Sequence, residues 1–414
     1  MLRGWRPGAL ARNSLMVLGW NLARLALQLV WVVLLTRALG AAGYGAFSGI
    51  SGLAIAFSGL SGMGLGLRLY QDVARDPTLL SLRWVQATRG LALSGLALVA
   101  GFGVLGIFVF PQWPWWMVAC ISLAELLFAP ATQQLTFSLA AAGRMREAAA
   151  IPAALSFARV LAVLLLPLHP LGPSLAAYTS LHLLLTAAAA GLAWAFVRGL
   201  LTPRPVEAPL TLRDVVEGLS FSSVWASGLA LVSIDKALAL RLGGAVLAGH
   251  YTAACRLASI AALPADALVT AVMPRLFLAG SGQLAHNRLL PVLLGATLGY
   301  GLCAGLGLWH AAPLLPLLMG EEFRAAVPAV HVVAVYVPAY CLRSLGANIL
   351  LGYGLKAWRF GAELMTMVVL IVLMLCLVPR EGAVGAAYAL VGSEVLLVAL
   401  LWWRVGQIPR QPLR

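Results

Sequence analysis

The chain has 414 residues, of which 62% are hydrophobic and 10% are charged, and its mean hydropathy is +0.93. Soluble domains carry roughly 25% charged residues, so this composition excludes an ordinary soluble domain and predicts an integral membrane protein. The net charge of +14 would suit a nucleic-acid partner. The basic residues are, however, concentrated in loops on one side of the apolar segments, which indicates a signal for membrane orientation, so we predict no nucleic-acid partner.

Twelve apolar segments of 19 or more residues follow one another along the chain. Each is long enough to cross a hydrocarbon core of about 30 Å. We predict membrane spans at residues 13–38, 44–68, 84–109, 114–140, 150–168, 174–198, 216–241, 247–275, 288–310, 326–352, 358–378 and 383–404. The predicted fold class is an all-α polytopic membrane protein with 12 transmembrane helices.

One phrase occurs twice in the chain. "LHPLGPSLAAYTS" at residues 168–180 and "VPREGAVGAAYAL" at residues 378–390 share a glycine, two alanines and a tyrosine at equal offsets, 210 residues apart. Each copy follows a long apolar run, which indicates two related halves. We predict pseudo-symmetric six-helix bundles at residues 1–199 and 215–414, joined by a cytoplasmic linker at 200–214 that contains three prolines.

Basic residues mark one side of the predicted membrane. Eighteen Lys and Arg lie at the termini or after even-numbered spans, among them Arg144 and Arg204, whereas four lie on the opposite side. Because cytoplasmic loops are enriched in basic residues, this bias predicts that both termini are cytoplasmic.

Eleven charged residues fall inside the predicted spans: Arg24, Arg89, Arg159, Lys236, Arg256, Arg343, Glu125, Asp235, Asp266, Glu363 and Glu394. At about 3 kcal/mol for each charge at a helix centre, their exposure to lipid would cost on the order of 30 kcal/mol. That cost exceeds the usual stability of a whole domain, so these side chains must face the protein interior.

Helical spacing places further polar groups beside these charges. The candidate substrate-binding residues in the predicted cavity are Asn21, Arg24, Gln28, Arg159, Arg256, Tyr340 and Arg343. The candidates for ion coupling or charge pairing are Glu125, Asp235, Lys236, Asp266, Glu363 and Glu394. The alternative for any one of them is an ordinary ion pair between packed helices.

Motifs of enzyme chemistry are missing from the sequence, which contains no HExxH, GxSxG or GxxxxGK[ST] pattern. We therefore predict no catalytic residue, metal or organic cofactor. Energy for transport, if used, would come from an ion gradient, with H+ or Na+ as the possible coupling ion, from the membrane potential or from the substrate gradient. Glu125 is the first choice for a titrating group because only Gln and Thr lie near it along its helix. Pairing of Glu125 with an arginine from another helix is the alternative.

Three segments carry a resemblance to a known family: "LLTRALGAAGYGAFS" at 34–48, "LAAAGRMREAAAIPAAL" at 139–155 and "VPREGAVGAAYALVGSEVLL" at 378–397. They resemble polysaccharide flippases of the Wzx type, within the multidrug/oligosaccharidyl-lipid/polysaccharide (MOP) exporter superfamily. The resemblance implies two six-helix bundles around a central cavity. It also implies transport by alternating access, with undecaprenyl-pyrophosphate-linked glycan moved from the cytoplasmic to the outer leaflet of a bacterial inner membrane.

The same resemblance implies a role in O-antigen or lipopolysaccharide biosynthesis, with a polysaccharide polymerase or glycosyltransferases as possible partners. Four other functions remain open, one of which is a non-transporting scaffold that the inward-facing charges disfavour. A drug or small-molecule exporter of the same superfamily would favour an acidic cavity, and a lipid II flippase typically has two further spans. A membrane-embedded polysaccharide polymerase or ligase would need a large outward loop, whereas no loop here exceeds about 17 residues.

Overall fold

Long apolar runs form the helices of the structure, a computed structural model that describes residues 9–278 and 289–408. Every regular element in these ranges is helical, which confirms the predicted all-α fold class. The first residue of the predicted span at 288–310 and both termini, which we predict to be cytoplasmic, lie outside the described residues.

The chain forms two compact units, one made of Met1–Leu39 and Ala54–Leu229 and the other of Gly40–Leu53 and Ala230–Arg414. The first unit takes its helices from α1 (Ala9–Ser58), α2 (Leu65–Arg75), α3 (Leu80–Val109), α4 (Trp115–Leu123), a π-helical turn (Ala124–Phe128), α5 (Ala129–Ala141), α6 (Met145–Leu164), α7 (Leu175–Leu201) and α8 (Leu212–Leu231). Buried side chains of α2, α3, α5 and α6, including Leu69, Trp84, Leu135 and Ile151, form a core cluster in this unit. The bundle boundaries predicted from the sequence stay a prediction.

The second unit contains α9 (Ile234–Leu278), α10 (Leu289–Ala311), α11 (Leu315–Met319), α12 (Val327–Ala334), α13 (Tyr336–Gly352) and α14 (Lys356–Gly406), together with Gly40–Leu53 of α1. Two of these helices fold back on themselves. In α14 the rings of Trp358 and Trp403 lie 5.4 Å apart, although a straight helix would separate them by about 70 Å. In α9 the Tyr251 hydroxyl lies 2.6 Å from the Asp235 carboxylate.

A glycine with a positive φ makes each of these reversals. Gly244 has φ 79° and ψ 178°, and Gly382 has φ 61° and ψ −133°. Gly40 interrupts α1 in the same way, with φ 65° and ψ −174°. Only glycine adopts such backbone angles without steric cost. The three breaks fall where the sequence predicts the turns between spans 1 and 2, 7 and 8, and 11 and 12.

Among the described residues, seven helices are long and apolar enough to cross a membrane, or up to nine when each of two bent pairs counts as one span. Two of the seven, Met16–Arg75 and Lys356–Gly406, contain a glycine break and are each 50 or more residues long. The predicted total of twelve spans stays a prediction.

The repeated phrase has related backbone geometry and different surroundings in its two copies. Gly172 has φ 63° and Gly382 has φ 61°, so both copies turn through a left-handed glycine. Tyr178, in contrast, is fully buried, whereas Tyr388 is 50% exposed. The tyrosines that follow the other glycine turns, Tyr44 and Tyr251, are both fully buried.

The predicted linker is held by side chains of the first unit. Arg89 Nη1 donates to the carbonyl oxygen of Ala208 over 2.8 Å, and the Gln86 amide donates to that of Pro209 over 3.2 Å. Asp214 then begins α8, where its carboxylate accepts from the Thr211 hydroxyl at 2.6 Å and lies 2.6 Å from Arg68 Nη1. Arg89, one of the charges inside a predicted span, thus has a backbone carbonyl oxygen as its hydrogen-bond partner. Arg89 lies outside the candidate site described below.

Candidate functional site

A cavity of about 500 Å³ lies within the first unit. Ligand sites of proteins are typically about 300 to 1,000 Å³, so the cavity can hold a small molecule or a headgroup. Its charged and amide side chains are Arg24, Gln28, Glu125, Gln133, Gln134 and Arg159. The apolar part of its wall includes Leu67, Phe137, Leu155 and Trp225.

A π-helical turn, Ala124–Phe128, places Glu125 in the cavity wall. Pro130 follows this turn and has no N–H group to donate to the carbonyl oxygen of Leu126, four residues earlier. Ser61 Oγ donates to that oxygen instead, over 2.8 Å. Single π turns inside α-helices are frequent at functional sites, which makes Glu125 a functional candidate on geometry as well as charge.

Glu125 is paired with groups from two other helices. Arg159 Nη2, on α6, lies 2.9 and 3.0 Å from the two carboxylate oxygens. His182 Nε2, on α7, lies 3.1 Å from Oε1. The Glu125 side chain is 5% exposed and His182 is fully buried. The predicted alternative, pairing with an arginine from another helix, is therefore the arrangement observed.

Aromatic side chains complete a closed circuit of contacts, which we term the Glu125 network. Trp31 Nε1 donates to the Tyr178 hydroxyl over 2.8 Å, and the Tyr178 ring stacks on His182 at 5.7 Å between centroids. The Arg159 guanidinium carbon lies 5.9 Å from the centroid of the Trp31 ring, within reach of a cation–π interaction. Each member of the network is thus fixed by two neighbours.

Arg24 lies on α1 and lines the same cavity. Its Nε atom is buried and has no hydrogen-bond partner among the described residues. Gln28, one turn further along α1, also lines the cavity, whereas Asn21 is exposed and outside the cavity wall. The structure therefore brings together Arg24, Gln28 and Arg159 of the predicted substrate-binding residues.

The second unit holds a separate cluster of predicted residues. Arg343 Nε lies 2.5 Å from Glu394 Oε1, and the Arg343 guanidinium carbon lies 4.5 Å from the centroid of the Tyr340 ring. Asp266 accepts hydrogen bonds from the Tyr340 hydroxyl and from Ser344 Oγ, both at 2.7 Å. Two cavity candidates, Tyr340 and Arg343, thus contact two of the acidic candidates.

The remaining acidic candidates form local pairs. Asp235 lies 2.9 Å from the Nζ of Lys236, its neighbour in sequence, and it accepts the hydrogen bond from Tyr251. Glu363 lies 2.8 Å from Arg359 Nε, one helical turn away. Arg256 is half-buried on α9. Ion pairing thus accounts for Glu125, Asp235, Glu363 and Glu394, and a coupling role stays a prediction.

Sequence reasoning did not find the π-helical turn or the roles of Trp31, Tyr178 and His182. The sequence contains two signals that could have indicated them. His182 is the one histidine in the middle of a predicted span, and Pro130 follows Glu125 closely enough to disturb its helix. The contact of His182 with Glu125 depends on how the π-helical turn packs on α7, which spacing along one helix does not reveal.

The long apolar helices and the charged cavity define a class of protein, the polytopic helical membrane proteins, and the fold is shared with transporters of the MOP superfamily. The structure is similar to that of the lipid II flippase MurJ in an inward closed conformation, with a TM-score of 0.67, 15% identity and coverage of 95% of this chain and 88% of that one. It is equally similar to an inward-facing multidrug resistance MATE family transporter of the MOP superfamily, with a TM-score of 0.67, 16% identity and coverage of 94% and 93%.

A MOP-superfamily transporter from Pyrococcus furiosus, whose reversed binding-pocket polarity suggests a different function, matches with a TM-score of 0.56, 14% identity and coverage of 96% and 94%. The family profile of polysaccharide biosynthesis proteins matches residues 10–278, and the chain belongs to this family. The family match bears out the predicted resemblance to a polysaccharide family, and the structural matches show that the chain shares the fold of MOP-superfamily transporters. No curated protein sequence matches the chain.

Proposed function

We propose that this protein is a flippase that moves a lipid-linked oligosaccharide across a bacterial inner membrane by alternating access, for the biosynthesis of a cell-surface polysaccharide. The substrate in this proposal is an undecaprenyl-pyrophosphate-linked glycan, which supplies an anionic headgroup and a polar sugar chain. Membership of the polysaccharide biosynthesis family supports the glycan. The likeness to MurJ, a lipid II flippase, supports a lipid-linked substrate.

One observation carries the proposal, the charge of the cavity wall. Arg24 and Arg159 line the cavity with a single acid, Glu125, among the described residues of the wall. Glu125 neutralises Arg159, so the charge of Arg24 remains and its buried Nε lacks a hydrogen-bond partner. A buried cationic donor without a partner is costly unless a ligand satisfies it. Phosphate oxygens are strong acceptors for a guanidinium group, so a pyrophosphate suits this position.

The alternative function, export of drugs or other small molecules, shares the fold. The MATE transporter and MurJ have the same TM-score to this chain, so the fold does not separate the two functions. The excess of arginine in the cavity wall disfavours a cationic drug and favours an anionic substrate. Neither flipping nor export breaks or forms a covalent bond. The proposal therefore includes no enzyme activity.

The test is transport in proteoliposomes containing an undecaprenyl-pyrophosphate-linked glycan. We expect Arg24→Gln to lower the transport rate on the order of tenfold or more, because it removes a charge-assisted hydrogen bond to the headgroup. Arg146→Gln is the matched control, since Arg146 is exposed and outside the cavity wall. Equal rates for Arg24→Gln, Arg146→Gln and the native protein, all equally well folded, would refute the assignment of this cavity to the substrate.

The proposed orientation has both termini and the loops at Arg144 and Arg204 in the cytoplasm. We expect a cysteine introduced beside either arginine to react with a membrane-impermeant maleimide only after the cells are opened. The loops predicted to be external, near Arg241 and Arg324, provide the matched positions that should react in intact cells. Labelling of the Arg144 or Arg204 position in intact cells would contradict this orientation.

A further inference from the structure

Arg159 has hydrogen-bond donors that its ion pair does not use. Both contacts with the Glu125 carboxylate come from one nitrogen, Nη2, at 2.9 and 3.0 Å. The Nε atom is buried and has no hydrogen-bond partner among the described residues. Arg159 and Glu125 both line the cavity, so a ligand that enters can contact the guanidinium beside its carboxylate partner.

We infer that an anionic phosphate ligand competes with Glu125 for Arg159, and that the displaced Glu125 carboxylate takes up a proton while His182 holds it in place. This inference rests on the proposed function, since it takes the pyrophosphate headgroup as the ligand of this cavity. It adds a link that the proposed function does not contain, namely that binding of the anion and of a proton occur together.

The charges around Glu125 explain the exchange. Its titratable or charged neighbours in the described part of the chain are Arg159 from α6 and His182 from α7, and Arg24 from α1 lines the same cavity. A pyrophosphate carries more negative charge than a carboxylate, so two arginines facing one cavity attract it more strongly.

Once Arg159 turns to the ligand, the Glu125 carboxylate loses its positive partner at a side-chain exposure of 5%. An unpaired carboxylate in such surroundings favours the neutral form. A proton from water binds to one carboxylate oxygen, and no other bond forms or breaks. The positive charge of Arg159 then remains with the ligand, and the acid is neutral.

His182 is suited to position Glu125 during the exchange. Its Nε2 lies 3.1 Å from Glu125 Oε1, and its ring is stacked by Tyr178, which Trp31 fixes through a hydrogen bond of 2.8 Å. A fully buried imidazole held in this way keeps one carboxyl oxygen in place when Arg159 moves. We therefore assign His182 as a positioning residue and Glu125 as the proton-binding group.

Calorimetry of the purified full-length protein with inorganic pyrophosphate tests the link. Titrations at one pH, in buffers of different ionisation enthalpy, give the number of protons taken up for each bound anion. We expect the native protein to take up about one proton more than Glu125→Gln, which has no titrating carboxyl at this position. We also expect Glu125→Gln to bind pyrophosphate more tightly, because the competing charge is gone.

Infrared difference spectra provide a second measurement, which detects the protonated carboxyl group directly. We expect pyrophosphate to produce the carbonyl band of a protonated carboxyl group in the native protein. This band should be absent in Glu125→Gln and shifted in Glu125→Asp. His182→Gln should retain the proton uptake but move the band, since the hydrogen-bond partner of the carboxyl differs.

The inference would be overturned if the native protein bound pyrophosphate without producing this band. It would also be overturned if the native protein took up no more protons for each bound pyrophosphate than Glu125→Gln does. Absence of pyrophosphate binding would overturn it as well. The transport rate of Arg24→Gln tests the proposed function separately. If Arg24→Gln transports slowly but pyrophosphate binding takes up no proton, the flippase function is retained and only the exchange at Glu125 is refuted.

Discussion

Replacing Glu394 with leucine is expected to destabilise the second unit by about 3 to 5 kcal/mol, the cost of leaving a buried charge without its partner. Glu394 and Arg343 form an ion pair of 2.5 Å whose side chains are only 4% and 11% exposed. Tyr340 covers the guanidinium with its ring and cannot replace the lost carboxylate. The free energy of unfolding in detergent micelles measures the effect.

The double variant Arg343→Met, Glu394→Leu is the control for this experiment. Replacing both members of a buried ion pair with apolar residues of similar volume is often neutral or stabilising. We therefore expect the double variant to recover most of the stability lost by Glu394→Leu. A double variant as unstable as the single one would show that the lost stability comes from packing around Glu394 rather than from an unpaired charge.

Replacing Gly45 with alanine is expected to disrupt the packing of α1 on α9. An added Cβ would lie 1.9 Å from the carbonyl oxygen of Ala245 and 2.4 Å from the backbone nitrogen of Gly249. The approach is reciprocal, because a Cβ on Gly249 would lie 2.1 Å from the carbonyl oxygen of Ala41. These contacts are with backbone atoms, so we expect a cost of about 3 kcal/mol, the upper end for overpacking.

Gly299→Ala is the matched control for Gly45→Ala. Its Cβ on α10 would have no neighbouring heavy atom within 4 Å, and alanine favours a helix over glycine by about 1 kcal/mol. We expect Gly299→Ala to keep or raise the fraction of monodisperse protein after heating, and Gly45→Ala to lower it. Similar fractions for both variants would contradict the close approach of the two helices.

The parts of the fold that depend on local sequence could be predicted. Apolar length located the helices, and the glycines beside "TRALG" and "VPREG" located turns that the backbone makes at Gly40 and Gly382. Gly45 and Gly249 both lie inside predicted spans, where small residues let helices approach closely. Each of these sequence signals determines structure only within a few residues of its own position in the chain.

The candidate site could be predicted only in part. The cost of a charge in lipid identified Arg24, Glu125 and Arg159 as interior residues, and all three line the cavity. Pairing of Glu125 with an arginine from another helix was the predicted alternative, but helical periodicity describes one face of one helix and so did not identify Arg159 or His182 as the partners. Asn21 shares a helical stripe with Arg24 and yet is exposed, because the packing of the neighbouring helices decides which part of the stripe is covered.

The glycine turns have a consequence for heredity. Every glycine codon begins with two guanines, so a change in either of these two bases converts it to the codon of an L-residue with a Cβ atom or to a stop codon, whereas a change in the third base leaves glycine. At Gly40, Gly244 and Gly382, with φ of 65°, 79° and 61°, each such L-residue meets the steric penalty of left-handed backbone, about 1 to 2 kcal/mol. The first two bases of these three codons therefore tolerate no substitution without that penalty, and only the third base of each can change while glycine is kept.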